Sequence, residues 1–400
     1  MPVEADVRRV LSAQAIRAFG YGLGSVLLAA TLAERGLAPT SVGLVLGALV
    51  AGTVIAQLAI ARWADIWGRR RTYQLLYLLL GLAGLAFAGA FPLWLQVGVA
   101  LTGALSAEVV ESGPFTTLEL SMLAGRLKVN ALASGFGWYN AIAAGAGSLG
   151  AISAALPVRI RDVAPEAPAD RVWFLLLVVV AIIGIAIARR LTPAVEVARP
   201  PRASSSLGPS RKSVTRLAGL FAIDAFAGGF VVQTFIAFWL IDYHGADTAT
   251  VATLFASIGV IQTLSFLAAP LIARRWGLLN TMVFTHLPSN LLLAAVAFAP
   301  NLTVAAILLL GRAALSQMDV PTRQAYVMRV VTPDERTAAT AYTNTARYIV
   351  RPLGPVLAGA ALSIGAGAPF VIAGLGKVIY DLALWSWFRT IPLHSTESTP

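Results

Sequence analysis

The residues best placed to do chemistry in this 400-residue chain are charges set inside long apolar stretches. They are Arg17, Glu108 with Glu111, Asp224, Arg312 with Asp319, Arg347 with Arg351, and Lys377 with Asp381. An ionisable side chain at membrane depth costs about 2.5–3.5 kcal/mol or more, so it faces a partner or a wet cavity. Glu108 and Glu111 are three residues apart and neighbours on a helix. Arg312 and Asp319, seven apart, share a helix face. Two adjacent carboxylates repel, and burial penalises both charges, so at least one is expected to take up a proton readily. That is what a proton carrier requires, and a mobile Arg17 would switch the affinity by favouring the anion. The competing reading is static ion pairs between helices, or side chains that snorkel to the inner interface. Lys377 and Asp381, one turn apart, read as a structural pair. Arg347 either approaches a cavity or pairs with Asp319.

Other chemistries lack their residues. With no cysteine there is no disulfide, thiolate metal site or cysteine nucleophile. Neither a phosphate-binding G-x-x-x-x-G-K-[ST] loop nor an H-E-x-x-H pair occurs. His244, His286 and His394 are isolated and read as structural or exposed. No catalytic residue, metal or cofactor is expected, and a proton gradient is the expected driving force. An intramembrane transferase using Glu108 and Glu111 has no donor-binding motif to support it.

The elements that position these charges follow from composition. Hydrophobic residues make up 58% of the chain, charged residues 12%, and mean hydropathy is +0.76. Soluble domains carry about 25% charge, so most of this surface must face lipid. The net charge of +11 sits in short clusters between apolar stretches, which argues for a membrane protein and against nucleic-acid binding. A helix needs about 20 apolar residues to cross a bilayer. Twelve segments qualify: 10–33, 42–61, 72–91, 93–114, 131–156, 172–190, 215–241, 248–272, 278–299, 302–323, 338–364 and 369–388. With both termini cytoplasmic, 21 of the 30 Arg and Lys residues fall in inside loops and four outside, as the positive-inside rule requires. Tryptophans, Trp239 among them, fall near helix ends as interfacial belts do. On this topology Arg17, Glu108, Asp224 and Asp319 lie roughly 6–14 Å from the inner boundary at ~1.5 Å per residue.

Residues 191–214, rich in Pro, Ser and basic side chains, read as a flexible cytoplasmic linker. The expected organisation is a six-helix bundle over 1–190, the linker, a second bundle over 215–390 and a tail over 391–400. The halves resemble each other. Ala104-Leu105-Ser106 recurs as Ala314-Leu315-Ser316, and Leu149-Gly150 as Leu353-Gly354. These matches suggest two parallel repeats.

Between spans 2 and 3, Ala61-Arg62-Trp63-Ala64-Asp65-Ile66-Trp67-Gly68-Arg69-Arg70-Arg71 resembles the G-x-x-x-D-R/K-x-G-R/K-R/K loop of the major facilitator superfamily. Asp65, Gly68, Arg69 and Arg70 match; Ala61 and Ile66 depart from the pattern. In such a loop the carboxylate accepts bonds from a neighbouring helix N-terminus and from arginines, and Gly68 permits the turn. The result is a latch on the cytoplasmic side. Thr332-Pro333-Asp334-Glu335-Arg336 has the capping-box spacing and marks the start of span 11. Gly354-Pro355-x-x-Ala358-Gly359 resembles the glycine-proline motif of the family's antiporters, although that motif belongs to span 5, where this chain has Gly145, Gly147 and Gly150 and no such proline.

The resemblance implies an all-α membrane protein of twelve helices, with spans 1, 4, 7 and 10 lining a central cavity. It would be a monomeric secondary transporter of a bacterial plasma membrane, working by alternating access on a small organic solute. The candidate substrate- or proton-binding residues are Arg17, Glu108, Glu111, Asp224, Arg312, Asp319 and Arg347. Proton-coupled export is the expected activity, because acids outnumber bases in the cytoplasmic-side layer. Uptake or facilitated diffusion of an organic anion held by Arg17, Arg312 and Arg347 is the alternative. A non-transporting membrane sensor would leave the intramembrane charges without a purpose.

Overall fold

Apolar residues occur all around many of these helices, so one face meets protein and the other lipid. The arrangement is plain on Arg69–Ala88, where Tyr73, Tyr77, Leu80 and Gly84 are buried while Leu75, Leu78, Leu82 and Leu85 recur at i, i+3, i+7 and i+10 on an exposed face. The structure, a computed structural model, describes residues 2–89, 91–106, 108, 109, 113–124, 132–166, 169–196, 207–332 and 335–391. Among them there is no strand.

Ten helical stretches among the described residues are long and apolar enough to cross a bilayer. Spans 1 to 3 are α1 (Pro2–Glu34), α2 (Pro39–Trp67) and α3 (Arg69–Ala88). Span 4 does not run over 93–114 as one helix. It divides into α4 (Leu93–Ala100) and α5 (Gly113–Ala124), and Gly103 sits at positive φ in the stretch between them. Pro114 then restarts the helix, since an N-terminal proline gives up no helical hydrogen bond. Span 5 is α6 (Leu132–Ser153), followed by the short α7 (Leu156–Val163), and span 6 ends in α8 (Leu176–Arg189).

Span 7 breaks at 230–232 between α9 (Arg211–Gly229) and α10 (Gln233–His244). Spans 8 and 9 are α11 (Thr248–Trp276) and α12 (Leu278–Val296). Span 10 divides at Gln317-Met318 into α13 (Leu302–Ser316) and α14 (Asp319–Val330). Span 11 is α15 (Arg336–Val350) and α16 (Leu353–Ala361), interrupted at Arg351-Pro352, and span 12 is α17 (Ala368–Phe388). Spans 4 and 11 are the two of the expected twelve that are not among these ten stretches.

Contacts divide the chain into two compact units. One comprises Met1–Arg199 with Val232–Thr263, the other Pro200–Val231 with Leu264–Pro400. Beside the expected bundles over 1–190 and 215–390, this division places α10 and the first part of α11 with the first unit. In the first unit α10 then packs on α1, where Gln233 Nε2 donates to Ser25 Oγ at 3.0 Å. The expected linker is also shorter. Thr192 is tied to Asp6 through its N–H (3.1 Å) and Oγ1 (2.5 Å), and α9 starts at Arg211. Residues 197–206 of that linker and 392–400 of the expected tail lie outside the described residues.

The repeat inferred from Leu149-Gly150 and Leu353-Gly354 recurs as packing. In the first unit a Cβ on Gly150 would overlap the Phe19 carbonyl of α1, and one on Gly22 would overlap the Gly147 carbonyl of α6. In the second, a Cβ on Gly354 would meet the Gly229 backbone of α9. Span 5 thus crosses span 1, and span 11 crosses span 7, backbone against backbone, as small residues permit.

Candidate functional site: two buried charge clusters

In the first unit α1 carries Arg17, fully buried, and α5 carries Glu119, also fully buried. Arg17 Nη2 meets Glu119 Oε2 at 2.7 Å and its Nε reaches Oε1 at 3.4 Å. Tyr73 donates to Oε1 at 2.6 Å and Tyr139 to Oε2 at 2.5 Å. Glu119 therefore accepts four hydrogen bonds, which is about the full capacity of a carboxylate. Arg17 also donates to Gln14 Oε1 and lies 4.9 Å from the Phe115 ring centroid and 5.2 Å from that of Tyr21. A paired, hydrogen-bonded ion pair flanked by ring faces can remain in a dry interior.

Glu119 is the residue that sequence reasoning missed. Ending span 4 at 114 puts Glu119 in a loop; the break before Gly113 carries the helix on to Ala124. Pro114 at a helix start, with Phe115 and Glu119 one turn apart, was the available signal. Glu108, the expected partner of Arg17, instead lies in the non-helical stretch, half-buried, with its N–H bonded to Ser106 Oγ at 3.1 Å. Glu111 lies outside the described residues. Tyr139 and Tyr21 are both buried around Arg17, while Trp138 is exposed. Trp239, expected at the interface, is buried and stacked on Tyr243.

The second unit gathers a longer cluster from spans 7, 9, 10 and 12. Asp224 on α9 meets Lys377 Nζ of α17 at 2.5 Å and Arg323 of α14 at 3.7 Å. Arg323 also pairs with Asp319 at 2.5 Å. His286 on α12 places Nδ1 2.9 Å from Asp381 Oδ1 and Nε2 4.0 Å from Asp224 Oδ1. Asn290, one turn on, donates to Asp381 Oδ2 at 2.8 Å. Every one of these side chains is buried. Lys377 therefore pairs with Asp224 and not with Asp381, which turns to His286 and Asn290. Asp319 takes Arg323, one turn away on its own helix. Arg347 on α15 and Arg312 on α13 are half-buried, and the charge of Arg347 acts on Asp224. His286, expected to be isolated, is at the centre. Its spacing to Asn290 on one face was legible, but its partners come from helices far away in sequence.

The loop between α2 and α3 turns on Gly68 at φ 91°, a conformation that favours glycine. Asp65 bonds Arg69 Nε at 2.8 Å. The carboxylate on the α3 N-terminus is that of Glu196, which accepts from the N–H groups of Arg69 (2.6 Å) and Arg70 (3.1 Å). An anion at a helix N-terminus satisfies orphan donors and complements the dipole. In the second unit Glu335 does similar work. It accepts from Thr332 Oγ1 at 2.9 Å, a bond between side chains in place of the expected capping box, since Glu335 is itself the N-cap of α15, and also from the N–H groups of Gly208 and Ser210 just before α9.

A profile of the Major Facilitator Superfamily matches residues 10–355. The chain belongs to that superfamily. It is a multi-pass membrane transporter, and its substrate is a small molecule. An uncharacterized membrane protein of Saccharomyces cerevisiae, YJR124C, is 23% identical over 390 residues, covering 88% of this chain and 87% of the yeast protein. The crystal structure of the nucleoside transporter NupG aligns with a TM-score of 0.72 at 14% identity, covering 97% of this chain and 100% of that one. That of a D-xylose-proton symporter aligns with a TM-score of 0.70 at 14% identity, covering 98% and 99%. At such identities the likeness concerns the superfamily fold.

Proposed function

We propose that this transporter exchanges protons for a small cationic or neutral organic solute, exporting the solute across a bacterial plasma membrane. Its termini are cytoplasmic, it works as a monomer, and the proton gradient is its energy source. The observation that carries the reading is the buried cluster of Asp224, His286, Asp319, Arg323, Lys377 and Asp381, which holds three carboxylates, two fixed cations and one histidine. Such a group can take up or release a proton at physiological pH. Of Arg17, Arg312 and Arg347, the residues of the organic-anion alternative, Arg17 is already engaged by Glu119, Gln14 and Tyr139. Alternating access then couples the solute to the protonation state of the cluster.

Everted membrane vesicles acidified inside by respiration test the reading, with ethidium and tetraphenylphosphonium as cationic probes and a panel of neutral metabolites. Probe-evoked alkalinisation of the lumen supports exchange. Probe movement that a protonophore leaves unchanged identifies a facilitator and overturns the proposal.

A further inference from the structure

The two units treat their buried charges differently. Glu119 has its acceptor sites filled by Arg17, Tyr73 and Tyr139. In the second unit, Asp319 Oδ1, Asn290 Oδ1, Ser289 Oγ and the Tyr380 hydroxyl are buried with no hydrogen-bond partner among the described residues. Buried polar groups are almost always satisfied, by protein or by ordered water. The first cluster is a closed structural pair. The second has room for exchange.

His286 can change state within it. Nδ1 and Asp381 Oδ1 are 2.9 Å apart, and two bare acceptors at that distance would repel. One proton therefore lies between them, and with that proton on Nδ1 the neutral ring keeps its lone pair on Nε2. The other ring nitrogen, Nε2, faces Asp224 Oδ1 at 4.0 Å. Lys377 holds that same oxygen at 2.5 Å.

We propose that His286 Nε2 is the atom that loads the transported proton, and that the loaded imidazolium and Lys377 compete for Asp224. This rests on the proton-coupled reading above. The proton arrives from water and adds to the Nε2 lone pair; no other bond changes. Once loaded, His286 carries Nε2–H towards Asp224 and draws the carboxylate away from Lys377. Unloading returns Asp224 to Lys377. Because Lys377 is on α17, Asp224 on α9 and His286 on α12, each exchange shifts the pairing of three helices. The other groups facing the pair are Asp319 and Arg323 on α14, Tyr380 and Asp381 on α17, and the charge of Arg347 on α15. None of these can replace Lys377 on Asp224 Oδ1 without moving. Arg323 reaches the opposite oxygen, Oδ2, at 3.7 Å.

The test is 15N NMR of histidine-labelled full-length protein in nanodiscs, with His244→Gln and His394→Gln leaving His286 as the single signal. The ring shifts separate the neutral tautomers from imidazolium. His286 is expected to pass between neutral and imidazolium forms from pH 8 to 5. Lys377→Met is expected to raise the imidazolium-to-neutral ratio at pH 6.5 at least tenfold, and Asp224→Asn to lower it by a similar factor. Lys377→Arg, which keeps the competitor, is expected to stay within threefold of the parent and guards against misfolding of the methionine variant. A His286 signal fixed in one form from pH 8 to 5, or a ratio indifferent to Lys377→Met in folded protein, overturns the proposal. The vesicle experiment separates the two claims. Exchange with a silent His286 defeats this inference alone; a titrating His286 without proton-coupled flux defeats the functional reading.

Discussion

Replacing Glu119 by glutamine is the sharpest probe of the first unit. The side chain keeps its size and one acceptor oxygen, but the Arg17 guanidinium, fully buried, loses its counter-charge. Removing one partner of a buried pair costs about 3–5 kcal/mol, mostly through the charge left behind. Tyr73 and Tyr139 each lose a charged acceptor. Weakening each bond from charge-assisted to neutral adds about 1 kcal/mol. The total of about 5–7 kcal/mol is a large part of the 5–15 kcal/mol that holds a typical domain together. Arg17→Met is expected to cost a similar amount by stranding Glu119. The double variant removes both charges and is expected to cost less than the sum of the two single ones, with a coupling energy of about 3 kcal/mol. Thermal unfolding of detergent-purified protein, followed by size-exclusion retention, reads the cycle. If both single variants melt within 1 °C of the parent, or the double variant loses the sum of the two, the pair is not the electrostatic unit described.

Three further outcomes follow from the packing and the caps. Gly150→Val and Gly354→Val place side chains where the Phe19 carbonyl and the Gly229 backbone sit, so each is expected to abolish the monodisperse size-exclusion peak, whereas Gly145→Ala, which meets nothing within 4 Å, is expected to leave it intact. Glu335 is held below its ordinary 4.5 by the Ser210 and Thr332 side chains and the Gly208 and Ser210 N–H groups. Its stabilising effect is present above pH 4.5 and is lost as pH falls through the lowered value; hydrogen exchange is expected to find the Gly208 amide protected at pH 7 and less protected in Glu335→Gln, with the gap closing as pH falls through that lowered value. Glu196→Gln weakens the anion on the α3 N-terminus, and a cost of about 0.5–1 kcal/mol in melting experiments is expected; an unchanged melt would mean that the contact is incidental.

The sequence was most informative where one periodicity or one residue type dictates the answer. Apolar runs located the spans, and the Gly150 and Gly354 matches pointed to the repeat. Gly68 marked its turn. What escaped was set by distant chain segments. Glu119 looked like a loop residue because span 4 is divided between α4 and α5, and no local pattern counts residues through a break. Lys377 and Asp381, one turn apart, looked like partners, but Asp224 and His286 each supply a stronger one from another helix. The latch loop was legible in Asp65, Gly68, Arg69 and Arg70, yet the acid on the α3 N-terminus came from Glu196, in a stretch whose prolines read as flexible.

The central claim is that the buried cluster of the second unit makes transport depend on the proton gradient. Proteoliposomes carrying the parent, His286→Gln or Asp224→Asn, with ethidium as probe, separate gradient-driven flux from equilibrium counterflow in the same preparation. The account predicts that both variants retain counterflow and lose gradient-driven accumulation, and that Glu108→Gln keeps both. Gradient-driven accumulation that persists in His286→Gln and Asp224→Asn would contradict it.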